Sequence, residues 1–248
     1  MKLFYEFKNQ TETSSDLYMY GDIVSENTPD WWTGEVSETA TDLKTFKEAV
    51  DGLGAGFTLN IYINSGGGSV FAASTMVSML KRARERGAKI ITHIDGLAAS
   101  AASFFPMASD ECHIYSNSML MMHKPLSFMW GYYNSTELKK LEDELNAIED
   151  GVLIPLYEGR SKDLSHQQIK NLVAAETWLN AQQMADTFSG FILHEEEKQA
   201  VACVSKCFDR YLNTPAAYLK PQSNPVPNAS PDYSEFENKL KNISKKGD

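Results

Sequence analysis

Three short stretches of this chain combine residue types that could carry nucleophilic or acid–base chemistry. The first is Ile63-Asn64-Ser65-Gly66-Gly67-Gly68-Ser69, where a strand pattern hands over to a helix pattern through three glycines. Such a turn offers unpaired backbone N–H groups, backed by a helix dipole, to a phosphate or a developing oxyanion. It has neither the Gly-Lys-Ser/Thr of a phosphate loop nor the G-x-G-x-x-G spacing of a dinucleotide site. Its glycines serve equally well as a plain tight turn. The second stretch is Asp95-Gly96-Leu97-Ala98-Ala99-Ser100-Ala101-Ala102-Ser103, a strand end followed by small residues. A nucleophilic serine needs this placement: a hydroxyl at a helix start, neighbours without bulk, and an adjacent N–H. Close helix packing with a serine cap produces the same string without catalysis. The third is Met121-Met122-His123-Lys124-Pro125, with a histidine where a strand meets a loop, whereas His93 and His113 lie within strand patterns. A base also needs an orienting carboxylate. Glu176, in Ala174-Ala175-Glu176-Thr177-Trp178, is a candidate beside a large apolar anchor.

The elements that must position these residues alternate along the chain. Strand patterns fall at residues 17–24, 58–64, 89–95, 111–115 and 119–123, and helix patterns at 41–50, 69–86, 98–108 and 136–157. The helix at 69–86 ends in a basic turn closed by Gly87, the usual chemistry of a helix C-terminus. The longest one places Leu138, Leu141, Leu145, Ile148 and Val152 on one face. Ser165 with Gln168, and Asn180 with Gln183, make two capping boxes. Strand, glycine turn and helix recurring in this order predict right-handed crossover units and an α/β fold.

Composition sets the limits. The 248 residues are 42% apolar and 23% charged, enough for a large core and incompatible with disorder of the whole chain. The formal charge of −10 repels a phosphate backbone, so nucleic acid is not an expected partner. The sequence contains no apolar run of membrane-spanning length, and the N-terminus turns polar too soon for a signal peptide. A cytoplasmic protein without membrane anchor is expected. Cys112, Cys203 and Cys207 have no framework spacing; the last two suit one helical face as well as a metal site, and free buried thiols are expected. Prolines cluster from Pro215 to Pro231. Residues 1–210 are therefore read as the compact domain and 211–248 as a Pro-rich linker and flexible tail, with a short helical pattern at 234–243.

Taken together the strings resemble the proteolytic subunit of the Clp protease, the ClpP family. They are N-S-x-G-G after a strand, G-x-A-A-S, M-M-H-x-P, and an acid just before an aromatic-Leu-x-Ala segment, in that order over residues 17–191. G-L-A-A-S-A-A-S, E-T-W and Y-G-D-I are closest to the ClpP-related head maturation proteases of tailed phages and prophages. The resemblance implies a ClpP/crotonase-like fold, a spiral of ββα units with a long protruding helix at 136–157. It implies a serine endopeptidase with Ser100, rather than Ser103, as nucleophile, His123 as general base, Glu176 as third member in place of the usual Asp, and oxyanion-hole amides at Gly68 and Ala101. Gly66 and Gly67 would support the hole. Gly66 stands where N-S-P-G-G has proline, which loosens the turn. Neither metal nor cofactor is implied. Lys124 as a serine–lysine dyad is opposed by strand alternation, which points adjacent side chains to opposite faces.

Implied partners are protein or peptide substrates and further copies of the chain in rings, with either capsid and scaffold precursors or a Clp-type unfoldase ATPase. The setting would be the host cytoplasm or a procapsid. Two other readings use the same strings. An acyl-CoA hydratase on this fold would need carboxylates where the chain has alanines and a serine. A catalytically silent scaffold or assembly protein would keep the fold without turnover.

Overall fold

The computed structural model describes residues 7–8, 11–29, 37, 40–195, 203, 205 and 207–215. The chain divides into two units, Met1–Tyr218 and Leu219–Asp248, and the second, with the helix pattern at 234–243, lies outside the described residues. Among the described residues ten strands are formed: β1 Phe7–Lys8, β2 Ser14–Tyr20, β3 Ile23–Val24, β4 Thr41–Asp42, β5 Thr58–Ser65, β6 Lys89–Ala99, β7 Glu111–Tyr115, β8 Met119–Met122, β9 Thr177–Asn180 and β10 Phe191–His194. The α-helices are α1 Leu43–Val50, α2 Val70–Glu85, α3 Phe104–Ala108, α4 Ser135–Ile148, α5 Ile154–Glu158, α6 His166–Ala174 and α7 Ala181–Thr187.

The main sheet runs β1-β2-β5-β6-β7-β10, parallel from β2 to β10. Its alternation sorts the side chains. Leu17, Met19, Leu59, Ile61, Ile63, Ile90, Ile94, Cys112 and Ile114 are buried on the face that packs helices. On the other face Tyr18, Tyr62, His93, His113 and His194 stack ring on ring across the strands. α2 supplies Ala72, Ala73, Met76, Leu80 and Ala83 to the core. It starts on the Ser69 side chain, which accepts the Ala72 N–H, and ends at Gly87 with φ +93°. Both predicted capping boxes are formed, at Ser165 and at Asn180.

The strand that carries the serine is longer than its pattern suggests. β6 continues from Asp95 to Ala99, and its register against β5 shifts between Ile63 and Ser65. Before the shift β6 pairs with β7; after it, Leu97, Ala98 and Ala99 pair with β8. A bulge of this kind bends a strand and redirects its end. It also corrects the helix expected over 98–108, which instead is a 3₁₀ turn, Ser100–Ser103, followed by α3. Small residues here pack a buried strand end as well as they would a helix, so periodicity alone does not separate the two.

Two more expectations change. The residue 17–24 strand breaks at Gly21, with φ +128°, into β2 and β3. The helix expected over 136–157 is α4, a π-helical stretch Glu149–Leu153 and α5. α4 buries none of its residues, and Leu138 is 49% exposed. Its apolar stripe is only partly covered: Leu141, Leu145 and Ile148 are half-buried, and Ile148 packs against the core. Among the described residues no helix is long and apolar enough to cross a membrane.

Candidate active site

The bulge delivers Ser100 to the end of β6 with φ +53°, a conformation that costs a non-glycine residue energy and is kept only where surroundings enforce it. Those surroundings are visible. Ser103 is fully buried, and its hydroxyl donates to the Ser100 carbonyl at 2.6 Å. Its single proton thus used, it accepts from the buried Tyr157 hydroxyl at 2.7 Å. The chain Tyr157–Ser103–Ser100 holds the turn and commits Ser103 to a structural bond. Ser100, by contrast, is partly exposed.

Ser100 Oγ lies 2.6 Å from His123 Nε2. His123 follows β8, the strand that pairs with the redirected end of β6, so one β-ladder places both residues. The imidazole is 9% exposed, and burial pushes its pKa down to about 4 against the opposing pull of the Glu176 carboxylate. At neutral pH the ring is therefore uncharged: Nε2 accepts the serine proton and Nδ1 carries the ring proton. Lys124, the next residue, is engaged in an ion pair with buried Glu149 at 3.1 Å.

Glu176 reaches the site by register. β8 and β9 are antiparallel with Met122 opposite Thr177, and one further step sets His123 against Glu176. Glu176 is buried and has φ +49°. Both carboxylate oxygens accept backbone N–H groups, from Leu212 at 2.8 Å and from Asn213. Among the described residues no hydrogen bond joins Glu176 to His123.

The glycine turn packs directly on the serine. A Cβ on Gly67, whose φ is +99°, would stand 2.7 Å from the Ala99 carbonyl and 2.8 Å from Ser100 Cβ. One on Gly68 would collide with the Ile23 carbonyl. Only glycine allows this approach. The turn is pinned by Ile23 N–H to the Gly67 carbonyl, Ser69 N–H to the Ile23 carbonyl and Gly67 N–H to Ser65 Oγ, which leaves the Gly68 N–H outside that pairing. Ala101 N–H is in the first turn of a helix, where no intrahelical partner exists. Gly68, Ala101, Ser100 and His123 line one cavity, whose apolar wall includes Val70, Phe104, Leu126 and Leu153. An acyl group there would meet a hydroxyl, a neutral base and two N–H donors.

Five of the sequence candidates thus converge: Ser100, His123, Gly67, Gly68 and Ala101. Glu176 is close but engaged elsewhere, and Gly66 faces Ser205 and Phe208. Sequence reasoning weighed Ser103 only as an alternative nucleophile and missed its supporting bond, and it missed Tyr157 and Tyr211. Tyr211 sets its ring edge-on to His123, 4.9 Å between centroids, and its hydroxyl donates to the Gly66 carbonyl. Nothing local marks it, since it is the first residue of the stretch that reads as Pro-rich linker.

The three cysteines are free, and burial pushes Cys112 and Cys203 up to about 12, so neither is a ready thiolate. No helix spans Cys203 and Cys207 among the described residues. No group of three His, Cys, Asp or Glu residues among them is placed to hold a metal.

No curated protein matches the sequence. A model of the Clp protease family, however, matches residues 53–192, which run from just before β5 into β10 and include Ser100, His123, Glu176 and the glycine turn. That is more than half of the chain, and with its mostly parallel sheet it places this protein in the Clp protease family, the serine peptidases of the ClpP type.

Proposed function

We propose that the protein hydrolyses peptide bonds through an acyl-enzyme formed on Ser100. Ser100 Oγ attacks the substrate carbonyl while its proton passes to His123 Nε2, and the new oxyanion is held by the N–H groups of Gly68 and Ala101. His123 returns the proton to the leaving amine as the C–N bond breaks. Water, deprotonated by the same ring, then attacks the acyl carbon, and the bond to Ser100 Oγ breaks as His123 gives that proton to the serine oxygen. Glu176 is the third member, stabilising the imidazolium from the position opposite His123. The observation that carries this reading is the 2.6 Å contact between Ser100 and a neutral, buried imidazole beside the glycine turn.

Members of the family typically form rings and act on protein substrates. We read this chain the same way, with α4 and the loop before it as contacts between copies. Phe128 and Trp130 are each 86% exposed there, which favours cover by another subunit. For substrates we propose protein precursors of a phage-type capsid or scaffold, on the strength of G-L-A-A-S-A-A-S, E-T-W and Y-G-D-I.

The test is intact-mass spectrometry of wild type and Ser100→Ala after exposure to a fluorophosphonate, alongside hydrolysis of a fluorogenic peptide. Adduct on wild type alone, mapped to Ser100, and a loss of about 10⁴-fold or more in hydrolysis by the variant are expected. Equal labelling of both proteins would name another serine.

A further inference from the structure

Ser205 and residues 207–214 come back to the mouth of the cleft. Ser205 Oγ donates to Asp22 Oδ1 at 2.6 Å and occupies the space that any side chain on Gly66 would need, the proline of N-S-P-G-G included. Cys207, Phe208 and Tyr211 pack with Leu97, Ala99 and Met121, the strand ends that carry Ser100 and His123. Tyr211 goes deepest, bonding the Gly66 carbonyl, touching the His123 ring and lining the cavity beside Ser100. Leu212 and Asn213 then give their N–H groups to Glu176. These are contacts an extended peptide makes, one apolar anchor followed by main-chain hydrogen bonds. The cavity left at Ser100 measures about 60 Å³, well under the roughly 150 Å³ that admits a benzene-sized group.

Building on the peptidase reading, we propose that this is a peptide-binding groove whose resting ligand is the chain's own segment, Ser205 and residues 207–214. The groove selects an aromatic residue, seated between His123 and the Gly66 carbonyl; the two N–H groups that follow it in the resting segment are what hold Glu176. A substrate must displace the segment to reach Ser100. Displacement also releases the Glu176 carboxylate, which then accepts the Nδ1 proton of His123 across the β8–β9 register. Gly66 is the space that lets the segment seat. The occupied cleft is thus a latent state built from the same groups as the working one.

Full-length wild type, Tyr211→Ala and Leu212→Pro separate the possibilities. The Leu212 side chain is 90% exposed, so its replacement by proline removes little beyond one N–H. Each protein is titrated, by fluorescence anisotropy, with a fluorescein-labelled peptide of residues 205–214 and with the same peptide carrying alanine at the Tyr211 position. The rate of fluorophosphonate addition to Ser100 is followed in parallel, and circular dichroism checks the fold. Both variants are expected to bind the peptide about tenfold more tightly than wild type and to label about tenfold faster, with the alanine peptide about tenfold weaker. Peptide binding in that pattern without reaction at Ser100 would keep the groove and remove the peptidase reading. Equal labelling of all three proteins with no peptide binding would keep the peptidase and overturn the groove. Loss of both binding and labelling in a folded variant would overturn it as well.

Discussion

Acid should weaken this fold through His123. Its imidazole is buried, with a pKa held down to about 4, against the ordinary value of about 6.5 in an unfolded chain. Because the folded value is the lower one, the unfolded state takes up the proton first. The stability contributed by the neutral ring is complete above the unfolded pKa and is lost as pH falls towards the folded one. At 1.36 kcal/mol per unit the gap is worth about 3 kcal/mol, of which about 2 kcal/mol is lost by roughly pH 5. Carboxylates elsewhere add their own acid dependence, so the informative quantity is a difference. Urea unfolding of wild type and His123→Gln at one protein concentration, compared at about pH 7.5 and pH 5, isolates it. Glutamine keeps a polar group facing Ser100 and does not titrate. The variant is expected to lose about 2 kcal/mol less than wild type between the two conditions. Equal losses would refute the burial argument, and a greater loss in the variant would mean that Glu176 outweighs desolvation and stabilises the charged ring.

The geometry makes two further predictions. Gly67→Ala forces an L-residue to φ +99° with its methyl against Ala99 and Ser100, a strain of roughly 1–3 kcal/mol; the urea midpoint should fall and labelling of Ser100 should slow, whereas unchanged labelling would show that the turn does not position the serine. Ser103→Ala removes a buried donor and strands the Tyr157 hydroxyl, at a cost of roughly 1–3 kcal/mol. Combining it with Tyr157→Phe should cost little more than the single change if the three groups act as one chain, and fully additive losses in a double-mutant cycle would count against that coupling.

What could be read in the sequence was what neighbouring residues decide. The alternation in β2, β5 and β7, the serine and asparagine caps, the glycine closing α2 and the glycine turn before it all depend on spacing over a few residues. These are local constraints of pleat, helix period and φ, and they bring Ser100 and His123 to the ends of strands whose pairing follows from a parallel α/β arrangement. The helix expected at 98–108 shows the boundary of that information. Ala98 and Ala99 are equally at home in a buried strand, and only pairing with β5 and β8, through a bulge, makes them one. The apolar stripe of α4 is a second case: its period is helical, but nothing in the period says whether a core lies against it.

Tertiary structure alone assigned the long-range partners. That Ser103 supports Ser100 while Ser100 faces the base depends on Tyr157, which lies 54 positions from Ser103. That Glu176 stands opposite His123 depends on the β8–β9 register, and that its oxygens go to Leu212 and Asn213 depends on a segment whose composition reads as tail. Contacts of this kind are selected by the free energy of the whole packed state, in which burying Tyr211 and satisfying a buried carboxylate offset the entropy of ordering the chain. No periodicity reports them, because the residues that meet share no local pattern until the fold has brought them together.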